Sequence, residues 1–325
     1  MTLDTTGANR MIRRRTLLRV VPAVGIGVTA RRATAAPDRK LLRVGFQKGE
    51  PILLAAKQSR SLETLLEPSG IDVQWIEFQF GPPLLEAMRV GAIDIGGVGD
   101  TPPVFAQAAH GDLLYIAGQR AGGQAILLPS GSTLQTLHDL KGKKIAFGRG
   151  SAAQNLTLAA LEKAGLTYAD IQPVYLGPAD AGAAFERGAI DAWTIWDPYY
   201  ALFETRPGVR VLAKSTDITE QNSFYMARRG YVEANPQVTA KLVGAFANIA
   251  EWARSHRPDV AALLATATGM PIDAVRRGVD RAPFVVLPMD DEFTRSQQKV
   301  AERFRALGLI PAEIKVSDEV WRAGA

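Results

Sequence analysis

The chain has no cysteine among its 325 residues. That excludes a disulfide framework, should the protein be exported. It also excludes thiolate nucleophiles and cysteine-ligated metal. Histidine is scarce. His110, His138 and His256 stand far apart at no ligand spacing, and read as surface or packing residues. No HExxH, no Ser-His-Asp order in a supporting context and no supported carboxylate pair occurs. Gly148-Arg149-Gly150-Ser151 lacks the Lys-Ser/Thr that would make it a phosphate loop. Neither metal nor cofactor is expected. After residue 40 no apolar run reaches 18 residues, so no span of a bilayer is expected in the body of the chain.

A surplus of one charge is also missing once the amino terminus is set aside. The whole chain carries 38 Lys and Arg against 33 Asp and Glu, a net +5. Residues 1–36 hold seven arginines and one aspartate, so the remainder has 31 basic and 32 acidic residues, near −1. A basic face for nucleic acid is therefore not indicated. Residues 1–36 read as an export signal: Arg13-Arg14-Arg15, an uncharged stretch over 20–30, and Ala33-Thr34-Ala35 as a small-x-small cleavage site. Arg14-Arg15 followed by Leu17-Leu18 resembles a twin-arginine signal. Cleavage near Ala35 or Ala36 would leave the protein in the periplasm.

What is present is a repeated local grammar. Gly91-Ala92-Ile93-Asp94 recurs as Gly188-Ala189-Ile190-Asp191, each after an apolar helix. Asp100 lies seven residues after Ile93 and Asp197 seven after Ile190, each with a proline close behind, Pro102 and Pro198. Two copies about a hundred residues apart suggest two lobes of like build. The length allows two domains of ordinary size, and 47% apolar residues suffice for their cores.

Strands are expected at 41–46, 73–78, 93–98, 113–117, 125–128, 145–147, 174–176, 192–196 and 209–212. Helices are expected at 53–66, 84–90, 101–109 and 152–164. The run 223–227 is apolar and crosses back. From 236 onward the pattern is helical: 238–256, 259–267, 272–279 and 291–307. These helices have no sheet of their own and are expected on the first lobe. The alternation predicts an α/β fold of two lobes, each a sheet flanked by helices. One lobe, 123–225, is inserted between 37–122 and 226–325. Linkers near 120–127 and 221–228 make the layout of a hinged clamp.

Two strand-to-helix turns are candidate ligand sites, because ligands in open α/β sheets sit at the carboxyl ends of strands. At Gly148–Ser151 the N–H groups of Ser151, Ala152 and Ala153 are expected to point out of a helix start and favour an anion, with Ser151 as N-cap. At Gly99-Asp100-Thr101-Pro102-Pro103 two prolines delete two donors. That makes a poorer anion cradle, with Asp100 better read as a structural acceptor or guard. In Trp193-Thr194-Ile195-Trp196 the first tryptophan suits a core. Trp196, at the strand's carboxyl end, suits a cleft wall against an alkyl chain.

These residues carry a family resemblance. VGFQKG (44–49), GPPLLEAMRVGAIDIGGVGDTPPVFAQAA (81–109), LKGKKIAFGRGSAAQNLTLAAL (140–161) and GAIDAWTIWDPYY (188–200) resemble the periplasmic substrate-binding proteins of ABC importers for aliphatic sulfonates, the SsuA type. The likeness covers nearly all of the chain after the leader. It implies the type II periplasmic binding fold, a monomeric two-lobe clamp that closes on one ligand. Delivery would be to an inner-membrane permease with a cytoplasmic ATPase. By matched position it implies Gln47, Gly99, Asp100, Thr101 and Gln124 beside the ligand, Ser151 and Ala152 on the sulfonate, and Trp196 along the pocket. Arg120-Ala121-Gly122-Gly123-Gln124 departs from the family pattern, being shorter and richer in glycine. Binders of taurine, nitrate or organosulfate belong to the same wider group. Enzymes on this fold, a sulfinate desulfinase and a pyrimidine synthase, depend on cysteine motifs that this chain lacks. No histidine lies in the cleft motifs and Asp100 should be ionised above about pH 5. Sulfonate affinity is therefore expected to be flat from about pH 6 to 9.

Overall fold

The computed structural model describes residues 39–323; the expected leader, with Arg14-Arg15 and Ala33-Thr34-Ala35, lies outside them. The strands are β1 (Lys40–Phe46), β2 (Ile71–Glu77), β3 (Ile95–Gly99), β4 (Leu113–Arg120), β5 (Gln124–Leu128), β6 (Lys144–Phe147), β7 (Gln172–Tyr175), β8 (Ala192–Trp196), β9 (Arg210–Lys214), β10 (Asn222–Arg228) and β11 (Val286–Pro288). They form two mixed sheets with helices on both faces, as the alternating pattern predicts. Their orders are β11-β4-β10-β3-β1-β2 and β7-β6-β8-β5-β9.

The two sheets share one plan. β2-β1-β3 and β7-β6-β8 are parallel trios; next to each lies an antiparallel strand, β10 in the first sheet and β5 in the second. In both cases that fourth strand adjoins a segment where the chain passes between sheets. Residues 121–123 carry the chain from β4 to β5, and 215–221 return it from β9 to β10.

The repeat seen in the sequence has a structural meaning. Asp94 Oδ2 accepts the Arg43 N–H of β1 at 2.9 Å, and Asp191 Oδ2 accepts the Lys144 N–H of β6 at 2.7 Å. Each aspartate N–H returns a bond to the same partner's carbonyl, at 2.8 and 2.9 Å. Each copy thus staples its strand to the parallel neighbour at the point where the ladder begins. The preceding glycines, Gly91 (φ 76°) and Gly188 (φ 65°), end the helices in the left-handed conformation that glycine adopts at no steric cost. Asp94 is buried, which disfavours its charge, but hydrogen bonds from Arg43 and Arg228 outweigh that and hold its carboxyl below the usual range.

Four sequence expectations need correction. The helix at 53–66 is two helices, Pro51–Ser59 and Ser61–Leu66, broken at Arg60 (φ 54°). The strand at 113–117 runs on to Arg120. The segment 223–227 is not a crossing: Asn222–Arg228 pairs along its length with β4, and over Ser223–Ala227 with β3 as well. The chain has therefore rejoined the first sheet before residue 226. The carboxyl-terminal helices also contribute the short edge strand β11, paired with β4. The helices Pro236–Ser255, Arg257–Thr268 and Ile272–Arg281 bury their apolar stripes against one face of the first sheet, and Asp291–Ala306 covers the other.

Candidate functional site

A cavity of about 420 Å³ lies where the carboxyl ends of β1, β3 and β8 face one another across the two sheets. Of the eight expected residues, Gln47, Gly99, Gln124, Ser151, Ala152 and Trp196 line it. Gln47 Nε2 donates to Gly97 O at 3.0 Å, which fixes that amide on the wall. Gln124 is buried, and its Oε1 has no hydrogen-bond partner among the described residues. An orphaned buried amide oxygen costs stability unless something fills the site. Trp193 is core, packed on Phe185 and Phe203, while Trp196 stands half-buried at the cavity.

Asp100 and Thr101 do not line the cavity. They are buried beneath it, in a network that joins the two lobes. Thr101 Oγ1 donates to Asp100 Oδ1 at 2.8 Å, and Asn155 Nδ2, from the second lobe, donates to Asp100 Oδ2 at 2.7 Å. Arg303 Nη1 then donates to Asn155 Oδ1 at 2.7 Å. Asp100 is thus the structural acceptor, and the two prolines behind it seal rather than cradle.

The helix start at Ala152–Lys163 differs in detail from expectation. The Ser151 N–H and hydroxyl both donate to Gly148 O, at 3.1 and 2.7 Å. The hydroxyl therefore makes no cap bond to the helix. The Gly150 N–H is taken by Gln154 Oε1 at 2.7 Å. That leaves the Ala152 and Ala153 N–H groups without partners among the described residues, at the positive end of a twelve-residue helix. Two donors, not three, are free, and they belong to the alanines.

Among the described residues the cations of the cavity wall are paired, Lys48 with Glu77 at 3.3 Å and Arg120 with Glu220 and Glu292. Arg281, outside the wall, pairs with Asp197 at 2.9 Å and Glu204 at 2.8 Å. The Arg281 bridge crosses between the lobes, from the Ile272–Arg281 helix to the end of β8.

Sequence reasoning missed Glu50, which lines the cavity and caps the helix Pro51–Ser59 through Ile52 N and Leu53 N, at 3.0 and 2.6 Å. Glu50-Pro51, an acceptor followed by proline at the first helical position, was the available signal. Burial pushes the Glu50 carboxyl up to about 7, against the pull of those N–H groups and the Tyr225 hydroxyl. Burial likewise pushes Asp100 up to about 6, against its bonds from Thr101 and Asn155 and the charge of Arg303. These shifts point away from the flat pH profile expected from the sequence. An anion entering the cleft is repelled by ionised Glu50, so affinity should rise as pH falls through about 7. Stability should move the same way. Both carboxyls bind protons more tightly folded than unfolded, so their penalty is full above about 7 and gone near 4. Melting temperature should drop by at least about 5 °C between pH 5.5 and pH 8, at roughly 2–4 °C per kcal/mol. Calorimetric scans and titrations at both pH values check it; pH-independent melting and binding would contradict both shifts.

A family model described as the periplasmic substrate-binding protein of phosphonate ABC transporters matches residues 62–275. A protein of Escherichia coli (strain K12) named for aliphatic sulfonate binding is 39% identical over 311 residues, 95% of this chain and 97% of that one. Among solved structures, the alkanesulfonate-binding protein SsuA from Xanthomonas axonopodis pv. citri, bound to MOPS, superposes with a TM-score of 0.82 at 40% identity. The match covers 89% of this chain and all (100%) of that one. The periplasmic aliphatic sulphonate binding protein SsuA from Escherichia coli gives a TM-score of 0.79 at 40% identity, over 87% and 92% of the two chains. With two like lobes, a cavity between them and identity at this level over nearly the whole length, the chain belongs to the periplasmic substrate-binding proteins of ABC importers, in the aliphatic sulfonate-binding family.

Proposed function

We propose that this protein binds aliphatic sulfonates in the interlobe cavity and delivers them to an inner-membrane permease driven by a cytoplasmic ATPase, for sulfur acquisition. It acts in the periplasm after removal of the leader over 1–36, and does so as a binding protein rather than an enzyme. The observation that carries this reading is the pair of free N–H groups at Ala152 and Ala153, with Ala152 on the cavity wall and the wall's Lys48 and Arg120 each paired with carboxylates. A sulfonate spreads one charge over three oxygens. It suits a helix dipole and neutral donors, and needs no buried counter-ion. Gln124 adds a contact only through its Nε2–H donors, because its unpartnered Oε1 is an acceptor and repels a sulfonate.

The lobes, 39–120 with 222–323 and 124–214, close on the ligand about the crossings at 121–123 and 215–221. The test is calorimetric titration, in phosphate buffer, of protein purified from the periplasm, whose intact mass also reads where the leader is cut. Alkanesulfonates should bind more tightly than taurine, nitrate, sulfate and carboxylates of the same length. A protein that bound nitrate or sulfate better than any sulfonate would refute the assignment.

A further inference from the structure

Sulfur is unevenly placed in this chain. There is no cysteine, and two of the six methionines, Met1 and Met11, fall in the leader. The other four are Met88, Met226, Met270 and Met289. Met88, Met226 and Met289 are 0%, 1% and 5% exposed, in the core between the first sheet and the Asp291–Ala306 helix. Of the four, Met270 alone is half-buried. It packs against the core on the other face of that sheet, and it lines the cavity.

Its position is set by a turn. Gly269 (φ 70°) ends the helix Arg257–Thr268, and Pro271 precedes the helix Ile272–Arg281. Between them the Met270 N–H donates to Thr268 Oγ1 at 3.3 Å, and that hydroxyl's one proton goes to Leu264 O at 2.6 Å. The donors of the turn are therefore spent on one another. A thioether suits such a wall, being soft, apolar and in need of no hydrogen bond. A sulfoxide does not. Its oxygen is an acceptor, and neither this turn nor a sulfonate, which carries acceptors only, has a proton to offer it.

Resting on the sulfonate reading, we propose that Met270 is an oxidation site through which the affinity of the cavity is lowered and restored. The oxidant is a peroxide. The thioether sulfur gives an electron pair to one peroxide oxygen; the S–O bond forms, the O–O bond breaks, and the second oxygen leaves with both hydrogens as water. The sulfur is oxidised and the peroxide reduced. The polar, chiral side chain that results stands at the ligand cavity and weakens sulfonate binding. A methionine sulfoxide reductase reverses the step: the oxygen leaves as water while a dithiol becomes a disulfide. A protein without cysteine thus carries one accessible, reversible sulfur, and carries it where the ligand binds.

The experiment treats the leader-free protein with hydrogen peroxide in phosphate buffer and follows each methionine by peptide mass spectrometry. Met270 should gain one oxygen at least about 10-fold faster than Met88, Met226 or Met289, because susceptibility follows exposure. Saturating hexanesulfonate should slow that gain. Protein oxidised at Met270 should bind hexanesulfonate at least about 5-fold more weakly by titration calorimetry, the effect of an acceptor left without a partner. Methionine sulfoxide reductase with dithiothreitol should restore the affinity. In Met270→Leu, a volume-conserving change, peroxide should leave affinity where it was before treatment, whatever that value is. Oxidation of the four methionines at one rate would overturn the proposal. So would parent affinity in protein oxidised at Met270, or an equal loss on treating Met270→Leu. Binding of no sulfonate by the untreated protein would instead remove the sulfonate reading and the affinity claim with it, while the order of oxidation would still decide the site.

Discussion

An Ala152→Pro protein should bind alkanesulfonates roughly 30- to 1,000-fold more weakly, the loss of about 2–4 kcal/mol expected when a charge-assisted bond to a backbone donor is deleted. Its melting temperature should stay within a few degrees of the parent. The backbone accepts the substitution because position 152 is the first residue of the helix, where proline's fixed φ is already suitable. Ser151 before it has φ −95° and ψ 165°, the extended conformation that a following proline demands. The substitution removes the free N–H and also adds two ring carbons where Ala152 faces Gly99, so part of the loss is steric. Ser151→Pro would be a poorer probe, because the Ser151 N–H holds the turn through Gly148 O. Titration calorimetry with a matched thermal scan reads both quantities. Unchanged affinity in a folded Ala152→Pro protein would mean that the anion sits elsewhere.

The second large effect is expected at Arg281. Arg281→Met leaves Asp197 and Glu204, whose side chains are 13% and 16% exposed, without their cation. It also removes a guanidinium lying 4.0 Å from the Tyr200 ring. Breaking such a pair by removing one partner costs about 3 kcal/mol, the lower end of the range for buried bridges. Burial already pushes the Asp197 carboxyl up despite Arg281, so without the arginine it should take up a proton. Because the bridge spans the lobes, the cost falls on the closed form. Ligand affinity should fall by about 100-fold at pH 7.5 and recover in part at pH 5.5. Small-angle scattering of the ligand-free protein should show a larger radius of gyration. Affinity within two-fold of the parent and an identical scattering curve would show that the bridge does not hold the lobes together.

The parts of this molecule that were legible in its sequence are those whose causes are local. A helix that ends in glycine and a strand that opens on aspartate repeat because the same staple is needed twice, at Asp94 and Asp191. Asp100 was legible as a structural acceptor and Asp197 as its repeat, though neither as a brace: each reaches across to the other lobe, Asp100 to Asn155 and Asp197 to Arg281. Those partners lie 55 and 84 residues away, beyond any spacing rule. The break at Arg60 escaped because neither glycine nor proline marks it. β11 escaped because three residues ending in proline read as loop. Val275 and Val279 were legible only as an apolar stripe. Periodicity tells which face of a helix is apolar, but not that the edge of this core face also borders the cavity.

At the seam between the lobes the fit is finer than one methyl group. A Cβ at Gly99 would stand 2.8 Å from the Ala152 Cβ, and one at Gly278 would stand 3.1 Å from Asp197 Cβ. With no room for one more carbon at either point, the two halves cannot approach more closely than this. A small cargo and a bulky one must then be housed by the chamber's spare volume, not by halting the halves at different gaps. On the import role proposed above, the shut protein would present one outline whatever it carried, and a partner that gauges the distance between its two halves would receive the same yes-or-no signal for every cargo.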